Sequence, residues 1–189
     1  MTDTKNKILD AALKAFSECG FEGAGTKKIA SDAGVNEVTL FRIFGSKLNL
    51  LSEVIRKFSS NTAISGNFRD NVTWDLEKDL TEIGMSYLKM VDKNIHTILM
   101  MITESSRIKE LKGILALSPE GHIDNLSWYL NEQIERGNCR KLKDVRTAAQ
   151  SFFALLFEYC IVRLVTKKRP SYEKTVETYV DIFINGIKK

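Results

Sequence analysis

The chain has 189 residues, of which 43% are hydrophobic, 28% are charged and only 2 are prolines. This composition is typical of a globular protein and argues against disorder. The net charge of +4 permits a nucleic-acid partner but does not require one. No uninterrupted apolar run is long enough to span a membrane as a helix. We therefore expect a cytoplasmic protein with no membrane partner.

Residue types that support catalysis or metal binding are sparse. His96 and His122 are isolated, and neither a His-Glu-x-x-His nor a Gly-x-Ser-x-Gly motif occurs. Cys19, Cys139 and Cys160 are far apart and odd in number, which favours reduced, mostly buried thiols over disulfides or a zinc site. We expect no enzymatic activity, no metal and no cofactor.

Apolar residues recur at helical spacing almost throughout the chain, which predicts an all-α fold. The first helix is expected to run from Thr4, as its N-cap, to Gly20. Thr26 is predicted to cap a short helix that Gly34 ends, and Asn36 a second short helix that reaches Phe44. A fourth helix follows Gly45 and Ser46, and a polar connector follows it over residues 59–74. Further helices are predicted near residues 75–91, 94–109, 119–136, 143–167 and 171–187.

Residues 26–44, with the sequence TKKIASDAGVNEVTLFRIF, have the spacing of a helix-turn-helix. Two closely crossing helices need a small residue at the crossing, here Ala30, and a turn residue that tolerates positive φ, here Gly34. With Ile29, Val35, Leu40 and Phe44 buried, the second helix has the length to enter a DNA major groove. The side chains expected to face outward on it are Glu37, Val38, Thr39, Phe41 and Arg42. A plain α-hairpin of the same spacing is the alternative.

Residues 5–55 resemble the DNA-binding domain of the TetR family of regulators. The similarity includes a first helix that ends in Gly-aromatic, then Thr-x-x-x-Ile-Ala, Ala-Gly-Val, Thr-Leu-aromatic-Arg-x-Phe and a Ser-Lys that opens the fourth helix. The rest of the chain is similar in helical layout only. The resemblance implies a three-helix DNA-binding domain over residues 1–47 and a helical bundle for ligand binding and dimerisation over 48–189.

In function, the resemblance implies a transcriptional repressor that a small-molecule effector releases from a palindromic operator in double-stranded DNA. Four residues at matching positions, in the second helix and at the start of the fourth, are expected to contact the phosphate backbone. They are Thr26, Lys27, Lys28 and Lys47. Three residues that follow the Asn36 cap are expected to contact the edges of the bases: Glu37, Val38 and Thr39. Arg42 is suited to either task, and a solvated surface arginine is the alternative.

Two positions depart from the family pattern. The family commonly has Tyr where this chain has Phe41, and Tyr or His where it has Ile43, and both of those can donate to phosphate. Glu37 carries a charge that phosphates repel, so it either accepts from a cytosine amino group or lies at the positive end of its helix. We expect a weaker hold on the DNA backbone. The alternative function is a helical interaction or ligand-sensing module of the same fold with weak or lost DNA binding.

The last two predicted helices carry more apolar surface than one small bundle buries, since residues 148–165 are apolar nearly all round. A homodimer through these helices covers such a surface and is what the resemblance implies. Glu158 is expected in the interior or at the interface, paired with a cation across the dimer or bound to a cationic ligand. An effector pocket is implied by the resemblance alone, with plain core as the alternative. Its candidate lining is Met85, Met100, Met101, Glu104, Trp128, Phe152 and Phe153, although Glu104 and Arg107 also look like a structural pair of the family.

Overall fold

The computed structural model describes residues 2–62, 68–111, 117–166 and 170–188, and over these the predicted all-α fold is confirmed. The helices are α1 Thr2–Gly23, α2 Thr26–Asp32, α3 Glu37–Phe44, α4 Lys47–Thr62, α5 Leu76–Arg107, α6 Leu117–Glu135, α7 Val145–Val165 and α8 Tyr172–Ile187, with a 3-10 turn at Lys109–Leu111.

The chain divides into two compact units. The first comprises Met1–Ala63 with His96–Ser118, and the second Ile64–Ile95 with Pro119–Lys189. The proposed functional boundary at residue 47 stays a prediction.

The two helices predicted over residues 75–91 and 94–109 are one continuous helix, α5, so the predicted break between them is wrong. The polar residues from Asp92 to Asn94 suggested a break, but none of them is a glycine or proline. Instead, the Asn94 side-chain amide donates to the Met90 carbonyl at 2.7 Å, one turn back along the helix. This bond gives the polar side chain a partner within the helix, which runs on to Arg107.

Helix α1 begins earlier than predicted, at Thr2, so Thr4 lies inside the helix and is not its N-cap. An ion pair of 2.7 Å between Lys7 and Asp3, at i and i+4, supports this first turn. At the other end the predicted stop is confirmed, because Gly20 has φ 69° and ψ 178° and interrupts the helical backbone.

Helix α2 is closed by a turn whose shape depends on Gly34. The Gly34 φ of 68° lies in the left-handed region, and the Val35 N–H donates to the Ala30 carbonyl at 2.9 Å. This is the pattern of a glycine C-cap, as the sequence predicts. At the other end of α2 the N-cap is Gly25, and no side chain caps the helix. The predicted capping role of Thr26 is therefore wrong, because Thr26 is the first residue inside the helix.

The core of the first unit gathers apolar side chains from α1 to α4 and from the last part of α5. Ile8, Phe16, Leu50 and Met101 are among its buried members, together with the α2 and α3 residues considered below. Salt bridges of 2.7 Å from Lys5 to Glu53 and from Lys57 to Asp10 join α1 to α4. One partner of each pair is exposed, so solvent weakens these pairs and burial of the apolar side chains supplies most of the stability.

In the second unit the start of α5 is organised by a buried carboxylate, Asp79. It accepts hydrogen bonds from the backbone N–H groups of Thr73 and Trp74, each at 2.9 Å. The Tyr129 hydroxyl on α6 donates to the same carboxylate at 2.9 Å, and the Tyr129 ring stacks on Trp74. Trp74 has a φ of 66°, a conformation that a bulky residue adopts only where such contacts hold it.

Two other helix ends of the second unit have residues that commonly cap helices. Gly137 ends α6 with a φ of 77°, and Ser171 caps α8 by accepting from the Lys174 N–H. Ser118 followed by Pro119 predicts an N-cap, but α6 begins one residue earlier, at Leu117, and the side chains of Ser118 and Pro119 lie outside the described residues. Of the segment 109–117, whose structure the sequence leaves open, residues 112–116 also lie outside them.

Two of the three cysteines are buried, in agreement with the prediction of mostly buried thiols, whereas Cys19 is exposed. Burial raises the pKa of the Cys139 thiol, and burial with the nearby Asp92 carboxylate raises the pKa of Cys160 to about 11. Both thiols are therefore protonated at neutral pH.

Helix α7 is long and apolar enough to cross a membrane by length and composition alone, and 33% of its most apolar window is buried inside the protein. Core helices of soluble proteins meet the same criterion. The notable property of α7 is therefore the apolar surface that it leaves exposed.

Replacement of Gly34 tests the turn between α2 and α3. We expect Gly34→Ala to lower the free energy of unfolding by about 1–2 kcal/mol, because a side chain disfavours the left-handed backbone. No atom lies within 4 Å of a Cβ built there, so the effect is conformational and not steric. Gly34→Asn is expected to lose less, since Asn tolerates this conformation. Urea unfolding followed by circular dichroism measures both; equal stability of all three proteins would contradict the expectation.

Candidate nucleic-acid interface

Helix α3 begins at the predicted cap and is anchored along one side only. The Asn36 side-chain oxygen accepts from the Val38 N–H at 2.8 Å, which confirms Asn36 as the N-cap. Leu40 and Phe44 are buried in the core of the first unit, against Ile29 and Ala30 of α2. Since α3 has only eight residues, these two anchors fix which of its side chains face outward.

The outer face of α3 combines apolar and cationic groups. Val38 is 73% exposed, Phe41 is 39% exposed, and Arg42 is also exposed. Val38 and Phe41 are three residues apart and so lie on the same side of the helix. Thr39 and Glu37, which we also expected to face outward, are half-buried.

The Glu37 side chain turns toward α2. Its carboxylate accepts a hydrogen bond of 2.6 Å from the Thr26 hydroxyl, which links the first residue of α2 to the first residue of α3. Thr26 is half-buried as well. The hydroxyl expected to hold a phosphate therefore has a partner within the protein, and its contact with DNA stays a prediction.

The predicted cationic positions differ in how much they are tied down. Lys27 is exposed, whereas Lys28 forms an ion pair of 2.7 Å with Asp32, which raises the pKa of the Lys28 amine through a hydrogen bond and charge attraction. The Lys47 amine donates to the Glu22 carbonyl at 3.2 Å and lies 4.9 Å from the centre of the Phe21 ring. Lys47 is thus held against the end of α1.

The two departures from the family pattern lie in different environments. Ile43 is half-buried and packs against the core of the first unit. The Tyr or His that is common at this position would therefore be partly buried here. Phe41 is exposed, so an apolar ring lies on the surface where the family commonly has the hydroxyl of a tyrosine.

The residues predicted to line an effector pocket fall into both compact units. Met100 and Met101 belong to the core of the first unit, where the Glu104 carboxylate accepts from the Phe21 N–H at 3.1 Å. Arg107 is exposed. The others lie in the second unit: Met85 and Trp128 are half-buried, and Phe152 and Phe153 are buried.

Three partners of the interface were absent from the sequence interpretation. Asp32 is four residues after Lys28, and this i, i+4 spacing of opposite charges is a signal that predicts their pairing. Phe21 and the Glu22 carbonyl, which hold Lys47, have no such signal because they are more than twenty residues away from it.

Comparison with known proteins agrees with this arrangement. Residues 8–54 match the bacterial regulatory proteins of the tetR family, and residues 78–185 match the C-terminal domain of AefR-like transcriptional repressors. The uncharacterized HTH-type transcriptional regulator YvkB of Bacillus subtilis is 29% identical over 190 residues, covering 99% of this chain and 98% of that protein.

Solved structures share the fold over nearly the whole chain. A TetR-family transcriptional regulator from Mesorhizobium loti has a TM-score of 0.85 at 18% identity, covering 98% of this chain and 97% of the other. FadR of Bacillus subtilis, solved in complex with stearoyl-CoA, has a TM-score of 0.72 at 19% identity, with 96% and 98% covered. The two family matches together span most of the sequence. The chain therefore belongs to the tetR family of bacterial regulatory proteins and is a DNA-binding transcriptional regulator of the helix-turn-helix type.

Proposed function

We propose that this regulator is a cytoplasmic homodimeric repressor that binds a palindromic operator through two copies of α3 and leaves it when a small apolar effector binds. The observation that carries the proposal is the exposure of α3. Val38 is 73% exposed while Leu40, two residues on, is fully buried, so the start of the helix projects from the core that anchors it. We assign no catalytic step to the chain.

The cations near α3 support contacts to the DNA backbone. Lys27 and Arg42 are exposed, and Lys47 is held at the start of α4 by the Glu22 carbonyl and the Phe21 ring. A lysine that is already oriented loses less conformational entropy when it binds a phosphate. Backbone contacts of this kind set position and affinity, and not sequence preference.

Replacement of Lys47 tests the proposed backbone contact. We expect Lys47→Ala to weaken binding to every duplex alike and to reduce the slope of log affinity against log salt by about one unit, because one phosphate contact is lost. Lys47→Gln retains a donor for the Glu22 carbonyl but no charge, so it separates the phosphate contact from the structural one. Gel-shift titrations at several salt concentrations provide the measurement.

The matched control is Lys89→Ala, which removes the same charge from an exposed position on α5 in the second unit. It is expected to leave the salt slope unchanged. DNA binding that is absent at low salt in the unaltered protein would contradict the repressor proposal and favour an interaction module of the same fold.

Glu37 offers a second test, because its two interpretations predict opposite results. A carboxylate near the phosphates repels them, and Glu37→Gln removes this charge while it keeps an oxygen to accept from Thr26. We expect affinity for operator and random duplexes to rise alike, by roughly threefold for a unit charge about 6 Å away in water. Competition gel shifts with both duplexes measure this. Loss of operator affinity alone would show instead that Glu37 accepts from a cytosine.

The proposed dimer accounts for the exposed apolar side chains of α7 and α8. Among the described residues, eight large apolar side chains are exposed, and five of them lie on these two helices: Leu155, Val162, Leu164, Val165 and Ile182. Glu158 is exposed between them, so its predicted place in the interior is wrong and a place at the interface remains. Burial of Tyr179 on α8 raises the pKa of its hydroxyl, and the negative charge of Glu158 raises it further.

A charge placed on this surface tests the dimer. We expect Val162→Glu to convert the dimer to monomers and to weaken operator binding, since two joined copies bind half-sites about 34 Å apart together. Val162 is 40% exposed in the single chain, so its replacement leaves the core of one copy intact. Analytical ultracentrifugation and gel shifts provide the readouts.

Ile102→Glu is the matched control, because Ile102 is 41% exposed but lies on α5. It is expected to leave the dimer intact. A Val162→Glu protein that still sediments as a dimer would place the interface elsewhere.

The effector is proposed to bind in the second unit, where aromatic side chains are concentrated. The Phe153 ring lies 4.8 Å from Tyr87 and 5.8 Å from His122, measured between ring centres. All three are buried, and buried aromatic side chains are the usual lining of sites for apolar ligands. Because FadR of similar fold was solved with stearoyl-CoA, a fatty acyl-CoA is the first effector class to examine.

We expect stearoyl-CoA to raise the melting temperature and to release bound operator, whereas coenzyme A alone does neither. At a concentration about 100 times its Kd, such a ligand adds about 2.7 kcal/mol of stability. Differential scanning fluorimetry and gel shifts provide the measurements. An unchanged melting temperature with stearoyl-CoA would rule out this class and leave the DNA-binding proposal standing.

A further inference from the structure

The outer face of α3 carries an apolar pair in a cationic setting. Val38 and Phe41 are exposed, one turn apart on one side of the helix. Residues 26–47 hold four basic and two acidic side chains, and each of the two acidic ones, Asp32 and Glu37, is bonded to a neighbour within the protein. A polyanion is therefore the occupant that fits the charge around this pair.

We propose that Val38 and Phe41 recognise thymines in the operator through the C5-methyl group, an inference that rests on the proposed function. Thymine is the base whose major-groove edge carries a methyl group, and apolar side chains select it by contact. This assigns a preferred base to two positions of α3. It also gives Phe41 a role in base recognition, where a family tyrosine would donate to phosphate.

The hydrogen bonds at the start of α3 favour apolar readout over polar readout. The Asn36 side-chain oxygen is engaged by the Val38 N–H, and the Glu37 carboxylate is engaged by Thr26 at 2.6 Å. One oxygen of each side chain is thus engaged within the protein, which leaves fewer acceptors to select a cytosine amino group. Val38, by contrast, is 73% exposed.

The exposure of the pair also fits the small size of a thymine methyl. Val38 and Phe41 are flanked by half-buried Thr39 and exposed Arg42, so the apolar area is narrow and bordered by polar groups. Such an area suits a single methyl group on each base, with Arg42 beside it toward the phosphates or a neighbouring base.

The test begins with duplexes that the full-length protein enriches from a random pool at low salt. Each thymine of an enriched duplex is replaced in turn by deoxyuridine, which lacks only the methyl group, and affinity is measured by gel shift. We expect about a fourfold loss for each contacted methyl, the equivalent of about 0.8 kcal/mol, at one or two thymines of each half-site. In Val38→Ala this difference between thymine and uracil is expected to shrink, whereas Ile102→Ala retains it.

The outcomes separate this inference from the proposed function. If uracil equals thymine at every position of a tightly bound duplex, thymine recognition is overturned and the repressor proposal stands. If no duplex is enriched, both are overturned. If DNA-free protein self-associates and Val38→Ala abolishes this, the pair belongs to a protein contact and the inference is overturned. The uracil series uses the unaltered protein, so it does not depend on the folding of a variant.

Discussion

The hydrogen bond from the Val35 N–H to the Ala30 carbonyl, 2.9 Å long, closes the turn on which the proposed DNA-binding surface depends. It forms because Gly34 adopts a φ of 68°, and it brings the end of α2 and the start of α3 together. Once the turn is closed, burial of Leu40 fixes the rotation of α3 about its own axis. The exposure of Val38 and the bond between Glu37 and Thr26 both follow from that rotation.

A protein of net charge +4 binds DNA by the placement of its cations and not by their number. Lys28 is already paired with Asp32, so it neutralises a carboxylate on α2, the helix proposed to contact the DNA backbone. Lys47 is held by a backbone carbonyl and an aromatic ring, which orient the amine without neutralising its charge. In the proposed function, these charges are positioned before DNA is met, which reduces the entropy lost on binding.

The sequence predicted those features whose causes lie within a few residues. The Asn36 cap, the Gly34 turn and the burial of Ala30 depend on local backbone chemistry and helical spacing, and each is confirmed. Features with distant causes were not predictable. Glu104 was a candidate pocket residue, yet it binds the N–H of Phe21, which is 83 residues away in the chain. The start of α5 likewise depends on Asp79 and on Tyr129, 50 residues further along.

Exposed apolar side chains have two different meanings in this chain, and the charges around them distinguish the two. On α7 and α8 the apolar surface extends over several turns and includes the carboxylate of Glu158, which repels DNA but can pair with a cation of a protein partner. A stable protein interface buries about 800 Å² on each side, which a long pair of helices can supply. On α3 the apolar area consists of two side chains beside Arg42, too small for such an interface. Its size and its charge both fit the edge of a base in a major groove.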